Sequence, residues 1–219
     1  MPFQALFFYF CDKMNVKIVY DNEAKKGFIK SWGFSCLIEN HILFDVGWDP
    51  AVLLHNLSIF GISMDDIDTI ILSHQHWDHI GSLPAIMKGK NIYVPVSFSS
   101  NLKNEISSRA NLFEIRKRER ILGNIFSSGV LGEEIKEQSL YIENEKGTVV
   151  VTGCAHPGLE NILPDNTHTL IGGFHGFDNL DLLGDIERII PCHCTVKKKE
   201  IVNRFENAEM GYAGMEIIL

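Results

Sequence analysis

Six consecutive residues, His74-Gln75-His76-Trp77-Asp78-His79, hold three imidazoles and one carboxylate. They follow an apolar run rich in β-branched residues, Ile67-Asp68-Thr69-Ile70-Ile71-Leu72, which reads as a buried strand. The group therefore falls where the strand ends and the chain turns. On an extended backbone residues two apart face the same side, so His74 and His76 can reach one ion together. Asp78 and His79 come after the extended stretch, in the turn, and can point at a second ion nearby. Imidazole and carboxylate donors, with no thiolate among them, suit Zn²⁺ first and Fe²⁺ or Mn²⁺ second. A polar loop with incidental histidines is the rival reading, and it leaves costly unpaired polar groups beside a buried strand. The spacing favours a metal site.

One or two ions need more donors than these four. Two later histidines sit in equivalent places. Val149-Val150-Val151-Thr152 ends in Gly153-Cys154-Ala155-His156-Pro157-Gly158, and Arg188-Ile189-Ile190 ends in Pro191-Cys192-His193-Cys194. We assign His156 to the first ion with His74 and His76, and His193 to the second with Asp78 and His79. A hydrogen-bonded core histidine is the plain alternative for each. Cys192 and Cys194 could form a thiolate site, but a single i, i+2 pair is a weak zinc signal, and packing is the expectation for both. His175, in Gly172-Gly173-Phe174-His175-Gly176-Phe177, is read as a group for substrate contact or proton transfer, because glycines allow close backbone approach. His41, His55 and His168 have no such setting and are expected in ordinary packing.

The elements that must position these groups are legible in outline. Strands are expected at Val16–Tyr20, Phe34–Glu39, His41–Asp45, Ile67–Leu72, Ile92–Val96, Ser139–Glu143, Thr148–Thr152, Thr169–Gly172, Arg188–Cys192 and Met215–Leu219. Asp49-Pro50 opens a helix to about Phe60, with aspartate as cap and proline at the first position. Further helices are expected at Gly81–Met87, Ser99–Ala110 and Lys198–Asn207, and Leu112–Ser128 is ambiguous with short strands. Strands interleaved with helices argue for sheets covered by helices, with functional residues on the loops at strand ends.

The 219 residues suit a single domain, 45% hydrophobic and 22% charged. A formal net charge of −8 speaks against nucleic acid as the main partner. Two basic runs, Arg116–Arg120 and Lys197–Lys199, read as a solvated segment and the opening of the last helix. Five cysteines without framework spacing fit a reducing, cytoplasmic setting. No stretch approaches the ~20 apolar residues of a membrane span. Residues 2–11 are apolar yet lack the basic region and cleavage site of a signal peptide, so residues 1–13 could be an extension before a start at Met14.

With these residues placed, the chain resembles the metallo-β-lactamase superfamily, on His74-x-His76-x-Asp78-His79 and the preceding Leu43-Phe44-Asp45-Val46-Gly47. The resemblance implies an α/β, four-layer αββα sandwich with the metal centre at one edge between the sheets. It also implies that Asp45 supports the ligands from behind rather than binding metal. Glu137-Gln138-Ser139-Leu140, Thr152–Gly158, Gly172–His175 and His193-Cys194-Thr195 resemble one branch, metal-dependent hydrolases of β-lactamase superfamily II. That branch includes dihydropterin–ribofuranosylaminobenzene phosphate synthases. Two departures stand out. The bridging aspartate usual at a late strand end is missing, so Cys154, water or a carboxylate such as Glu137 takes its place. The usual Gly-His-Thr phrase is also absent, leaving His156 to supply the third histidine.

The expected function is hydrolysis of an ester, phosphoester or related small molecule by metal-activated water, with Asp78 orienting the nucleophile and His175 assisting the leaving group. A transferase joining a pterin pyrophosphate to an aminobenzene ribofuranosyl phosphate is implied by the resemblance alone. A non-catalytic metal-binding protein is the third possibility. One or two ions, Zn²⁺ foremost, a small-molecule substrate, and neither nucleic acid nor membrane as partner complete the expectation, with the oligomeric state left open.

Overall fold

A computed structural model describes residues 14–219; the apolar opening segment and the proposed extension before Met14 lie outside the described residues. The first sheet begins with β1 (Asn15–Tyr20), β2 (Ser35–Ile38) and β3 (Ile42–Phe44), all antiparallel. Glu39 and Asn40 join β2 to β3 at φ of 49° and 62°. Two successive left-handed residues make the tight turn whose twist matches that of the strands, and they fix the pairing Ile38↔Ile42. Helix α1 (Pro50–Ile59) then crosses over, its Asp49 cap accepting from Ala51 N, to β4 (Thr69–Ile71). Two single turns, α2 (Trp77–Ile80) and α3 (Leu83–Ile86), lead to β5 (Asn91–Pro95), and α4 (Ser100–Arg109) leads to β6 (Asn111–Ile115). Strands β3 through β6 run parallel, as helical crossovers require.

At Arg116 the chain passes from one sheet to the other. The second sheet holds β7 (Lys117–Leu122), β8 (Ile125–Gly129), β9 (Leu140–Asn144) and β10 (Gly147–Thr152), a run of antiparallel pairs. Helix α5 (Leu159–Ile162) and a 3₁₀ turn at Leu180–Leu183 then connect β10, β11 (Thr167–Gly173) and β12 (Arg188–Cys192) in parallel. Helix α6 (Lys198–Arg204) precedes β13 (Glu216–Ile218), which returns to pair with β1. The strand orders are β13-β1-β2-β3-β4-β5-β6 and β12-β11-β10-β9-β8-β7. Leu112–Ser128 thus resolves into most of three strands, the edge strands β6 and β7 and the inner strand β8, and the basic run Arg116–Arg120 lies mostly on exposed β7, where charge discourages edge pairing.

Alternation along the strands builds three apolar layers. Val16, Ile18, Phe44 and Ile71 meet Leu140, Val149, Val151 and Ile171 between the sheets. Val19, Leu43, Ile70 and Leu72 face the helices α1, α3 and α4, through Leu53, Leu57, Leu83 and Ile106. Val150, Leu170 and Ile189 face α5, the 3₁₀ turn and α6, through Leu159, Ile162, Leu183 and Ile201. The result is the αββα sandwich expected from the sequence. Truncating a fully buried member such as Ile171 costs roughly 2–5 kcal/mol. Among the described residues, no helix is long and apolar enough to cross a membrane.

One local expectation is corrected. The helix placed at Gly81–Met87 is instead the pair α2 and α3, beginning four positions earlier at Trp77. His76 keeps extended geometry, φ −74° and ψ 140°, and caps the first of these turns. Asp78 and His79 therefore project from a helical turn, not from open loop.

Candidate metal centre

The carboxyl ends of β3, β4, β10, β11 and β12 converge at one edge of the sandwich. Within three residues of four of these ends stand non-glycine residues in the left-handed region: Asp45 at φ 56°, Ala155 at 56°, His175 at 45° and His193 at 41°. Such residues cost free energy unless the surroundings impose them, and they cluster at functional sites. Here each turns the chain sharply as it leaves its strand, aiming the next groups into the gap between the sheets.

Asp45 is the bracket of the first sheet's contribution. Fully buried, it accepts from Ser73 N (2.7 Å) through Oδ1, and through Oδ2 from Ser73 Oγ (2.7 Å) and His79 Nδ1 (2.7 Å). Its carboxylate is therefore engaged behind the histidines, as the resemblance implied. With Nδ1 so fixed, His79 presents Nε2 to the gap, 3.1 Å from Cys154 Sγ. Burial opposes a charge on His79, yet Asp45 and Asp78 raise it above the ordinary imidazole value.

Two groups of donors form in the gap. His74, His76 and His156 bring one ligand atom each within 4.8 Å of one another, as do Asp78, His79 and His193. These are the two groupings read from the sequence. His74 Nε2 faces His76 Nδ1 at 3.0 Å, while Ser73 Oγ holds the other nitrogen of His74 at 2.8 Å. His156 Nε2 and His193 Nε2 are buried with no hydrogen-bond partner among the described residues. His193 Nε2 lies 3.2 Å from Asp78 Oδ2, off the line a hydrogen bond needs, and its Nδ1 meets Asn22 Oδ1 at 3.1 Å. A buried nitrogen left unpaired among other donor atoms is costly unless a cation sits there, and each group contains one, so the residues fit a metal ion.

Glu137 does not reach into this gap, which corrects one option for the missing bridge. Its Oε1 accepts from the amides of Gly153 (3.1 Å), Cys154 (2.8 Å) and Ala155 (3.0 Å), and Oε2 from His156 N (3.0 Å). Both oxygens are occupied in shaping the loop that carries Cys154 and His156. Gly153 completes the seam, since a Cβ there would lie 2.2 Å from Ser73 Oγ. The two sheets touch at that point with no room for a side chain.

Cys194 was expected to pack, and it does not; only Cys192 joins the core. Cys194 Sγ falls within 4.8 Å of Cys154 and His193 donors. The two neighbouring sulfurs act on one another, which pushes Cys154 up and holds Cys194 down, at about 7, while Cys194 Sγ donates to Cys154 O at 4.0 Å. Alternation alone placed Cys192 inward; the left-handed turn at His193 then carries Cys194 toward Cys154. Asn22 and Asp21 were also missed: Asp21 Oδ2 accepts from His193 N at 2.7 Å. His175 is exposed, with its ring 4.8 Å from that of His156. Trp32 Nε1 donates to Asp78 Oδ2 at 2.8 Å, and its ring meets His193 edge-on at 5.0 Å. His41, His55 and His168 make side-chain or carbonyl contacts elsewhere, as expected.

Protonation favours the metal-ready state in the first donor group and at Asp78, whereas His79 is held the other way. Burial, then the neighbouring imidazoles, hold His74 well below the ordinary value and His156 down to about 4, and burial lowers His76. Burial pushes the Asp78 carboxyl up, but His193 and His79 outweigh it and hold it at about 2. A depressed histidine means the unfolded chain takes up its proton first. Stability from this group is therefore complete above the ordinary imidazole value of 6.5 and is lost as pH falls toward about 4. Metal-free protein is expected to melt at progressively lower temperature across that window. A flat melting temperature there would show that these imidazoles are not held neutral.

Residues 35–96 match the model of the metallo-beta-lactamase superfamily. The chain is 29% identical, over 217 residues, to the 7,8-dihydropterin-6-methyl-4-(beta-D-ribofuranosyl)-aminobenzene-5'-phosphate synthase of Methanocaldococcus jannaschii, covering 74% of this chain and 72% of that protein. Among solved structures, Tm1679, a metal-dependent hydrolase of the beta-lactamase superfamily, superposes with a TM-score of 0.78 at 24% identity, covering 93% of this chain and 98% of the other. The metallo-beta-lactamase fold protein YhfI from Bacillus subtilis follows at a TM-score of 0.68 and 15% identity, covering 95% and 100%.

Proposed function

We propose that this chain, which has the metallo-β-lactamase fold, is a metal-dependent hydrolase of a small ester, phosphoester or related substrate. One observation carries the reading: buried, partnerless imidazole nitrogens face a carboxylate and further imidazoles across the seam between the sheets. His74, His76 and His156 would hold one ion, and Asp78, His79 and His193 a second. Zn²⁺ suits this donor set best, with Fe²⁺ or Mn²⁺ next. When bound, such ions supply Lewis acidity and lower the pKa of water from ~15.7 to roughly 7.

The residues themselves divide the remaining work. Asp78 is ionised at neutral pH, so it can accept a hydrogen bond from the attacking water and orient it. Trp32 keeps that carboxylate from turning away. Asp45 fixes the tautomer of His79, so its free nitrogen points into the gap. His175 stands at the open side beside His156, where it can donate a proton to a leaving group or bind an anionic part of the substrate. The exposed rings of Trp32, Trp48 and Trp77 border the same opening and offer flat apolar surface to a substrate.

The His175→Ala protein is expected to keep its full metal content and to lose roughly 10²–10⁴-fold in turnover, the usual worth of a positioned acid or base. Elemental analysis beside a rate measurement separates the two effects. Metal loss would move His175 into the coordination shell.

The relative from Methanocaldococcus jannaschii favours a second reading, transfer rather than hydrolysis. There the same centre would hold the departing diphosphate of a pterin substrate while an aminobenzene carbon displaces it. Metal-loaded protein offered esters, lactones and phosphodiesters in parallel with a pterin diphosphate and an aminobenzene acceptor decides between them. Water-derived product in the first set supports hydrolysis. Condensed product alone supports transfer, and no turnover in either with metal bound supports a non-catalytic role.

A further inference from the structure

The place of the missing bridging carboxylate is filled by sulfur. Cys154 Sγ lies 3.1 Å from His79 Nε2, and His74, His79 and Cys154 bring donors within 4.8 Å of one another. Cys154, His193 and Cys194 form another such group. Both sulfurs therefore neighbour the imidazoles that, with Asp78, make the second donor set. The backbone is arranged to bring them there. Glu137 grips the amides on either side of Cys154, and the left-handed turn at His193 swings Cys194 across the bare end of β11. A Cβ on Gly173 would lie 2.8 Å from Cys194 Sγ and 3.2 Å from Cys154 Cα, so only glycine leaves room for that approach. Cys36 and Cys192, by contrast, are sealed in the apolar layer between the sheets.

Resting on the metal-binding reading above, we propose that Cys154 and Cys194 are a paired thiolate arm of the second metal position. That position is then mixed, nitrogen, oxygen and sulfur, whereas the first is all imidazole. Thiolate donors favour Zn²⁺, Fe²⁺ and the probe ions Co²⁺ and Cd²⁺, and disfavour Mg²⁺ and Mn²⁺. Binding breaks two S–H bonds, forms two sulfur–metal bonds and releases both protons to solvent, with no oxidant required.

The test is titration of metal-free, reduced protein with Co²⁺, following the near-ultraviolet thiolate-to-cobalt absorption alongside cobalt content. Wild-type protein is expected to bind two equivalents, with the band tracking the second. Cys154→Ser and Cys194→Ser should each lower the band by half, and the double variant should lose it while still binding one cobalt. Cys192→Ser should leave it intact. As a check independent of how the variants fold, second-site metal should protect Cys154 and Cys194 of wild-type protein from alkylation. Two bound cobalt ions without the band would overturn the thiolate arm and leave the metal centre standing. A full band in Cys194→Ser would remove Cys194 from the arm. No bound cobalt at all would instead overturn the reading on which the proposal rests.

Discussion

The His76→Ala protein is expected to lose at least one equivalent of bound metal and to fall at least about 10²-fold in activity, since even residues that only orient a ligand are worth 10–100-fold. His76 is exposed and touches the rings of His74 and His156 rather than any apolar layer, but its Nδ1 is the partner of buried His74 Nε2 at 3.0 Å. Stranding that nitrogen costs about 1–3 kcal/mol. The metal-free variant should therefore melt somewhat below metal-free wild type, and the further stabilisation that metal gives wild type should shrink. Unchanged metal content would refute the first donor group outright.

Glu137→Ala is expected to act in the opposite manner, on the fold first and on the metal only through it. The substitution strands four amides, from Gly153 to His156, in a region where the carboxylate is 1% exposed. Each buried unpaired donor costs about 1–3 kcal/mol, and partial rearrangement of the loop limits the total to roughly 3–5 kcal/mol. Burial pushes the carboxyl up while those amides pull it down. Glu137→Gln, which keeps acceptor oxygen but adds a donor, should fall between wild type and alanine. Denaturant unfolding of all three proteins without metal measures the series. A loss under about 0.5 kcal/mol for the alanine variant would mean that the loop holds its own shape.

Much of this centre was legible before any coordinates. Period-two alternation and strand-end position were enough to bring His74 and His76 together, and to bring His156 and His193 to the same edge. Helix α2 escaped because a single turn is too short for the helical period to repeat, so Asp78 and His79 read as loop. Glu137 was left open between bridging and supporting the ligands from behind, because its partners are backbone amides, which leave no trace in side-chain chemistry. Cys194 needed knowledge of two things that sequence does not carry, the left-handed turn at His193 and the packing of β10 against β11. Strands interleaved with helices pointed only to sheets covered by helices, and the four layers came from the resemblance, whereas the strand order within each sheet depended on the crossing at Arg116.

All three tryptophans of the chain, Trp32, Trp48 and Trp77, border the candidate metal centre, and they are 53%, 45% and 55% exposed. None lies in the three apolar layers. Intrinsic tryptophan emission in this protein therefore reports the mouth of the site and not the core. It should already be red-shifted in the native state, and it should respond to added metal, since Trp32 donates to Asp78 and its ring meets that of His193. Its change on full unfolding should be small by comparison. The molecule carries its own optical gauge of occupancy, and global unfolding is better followed by another signal.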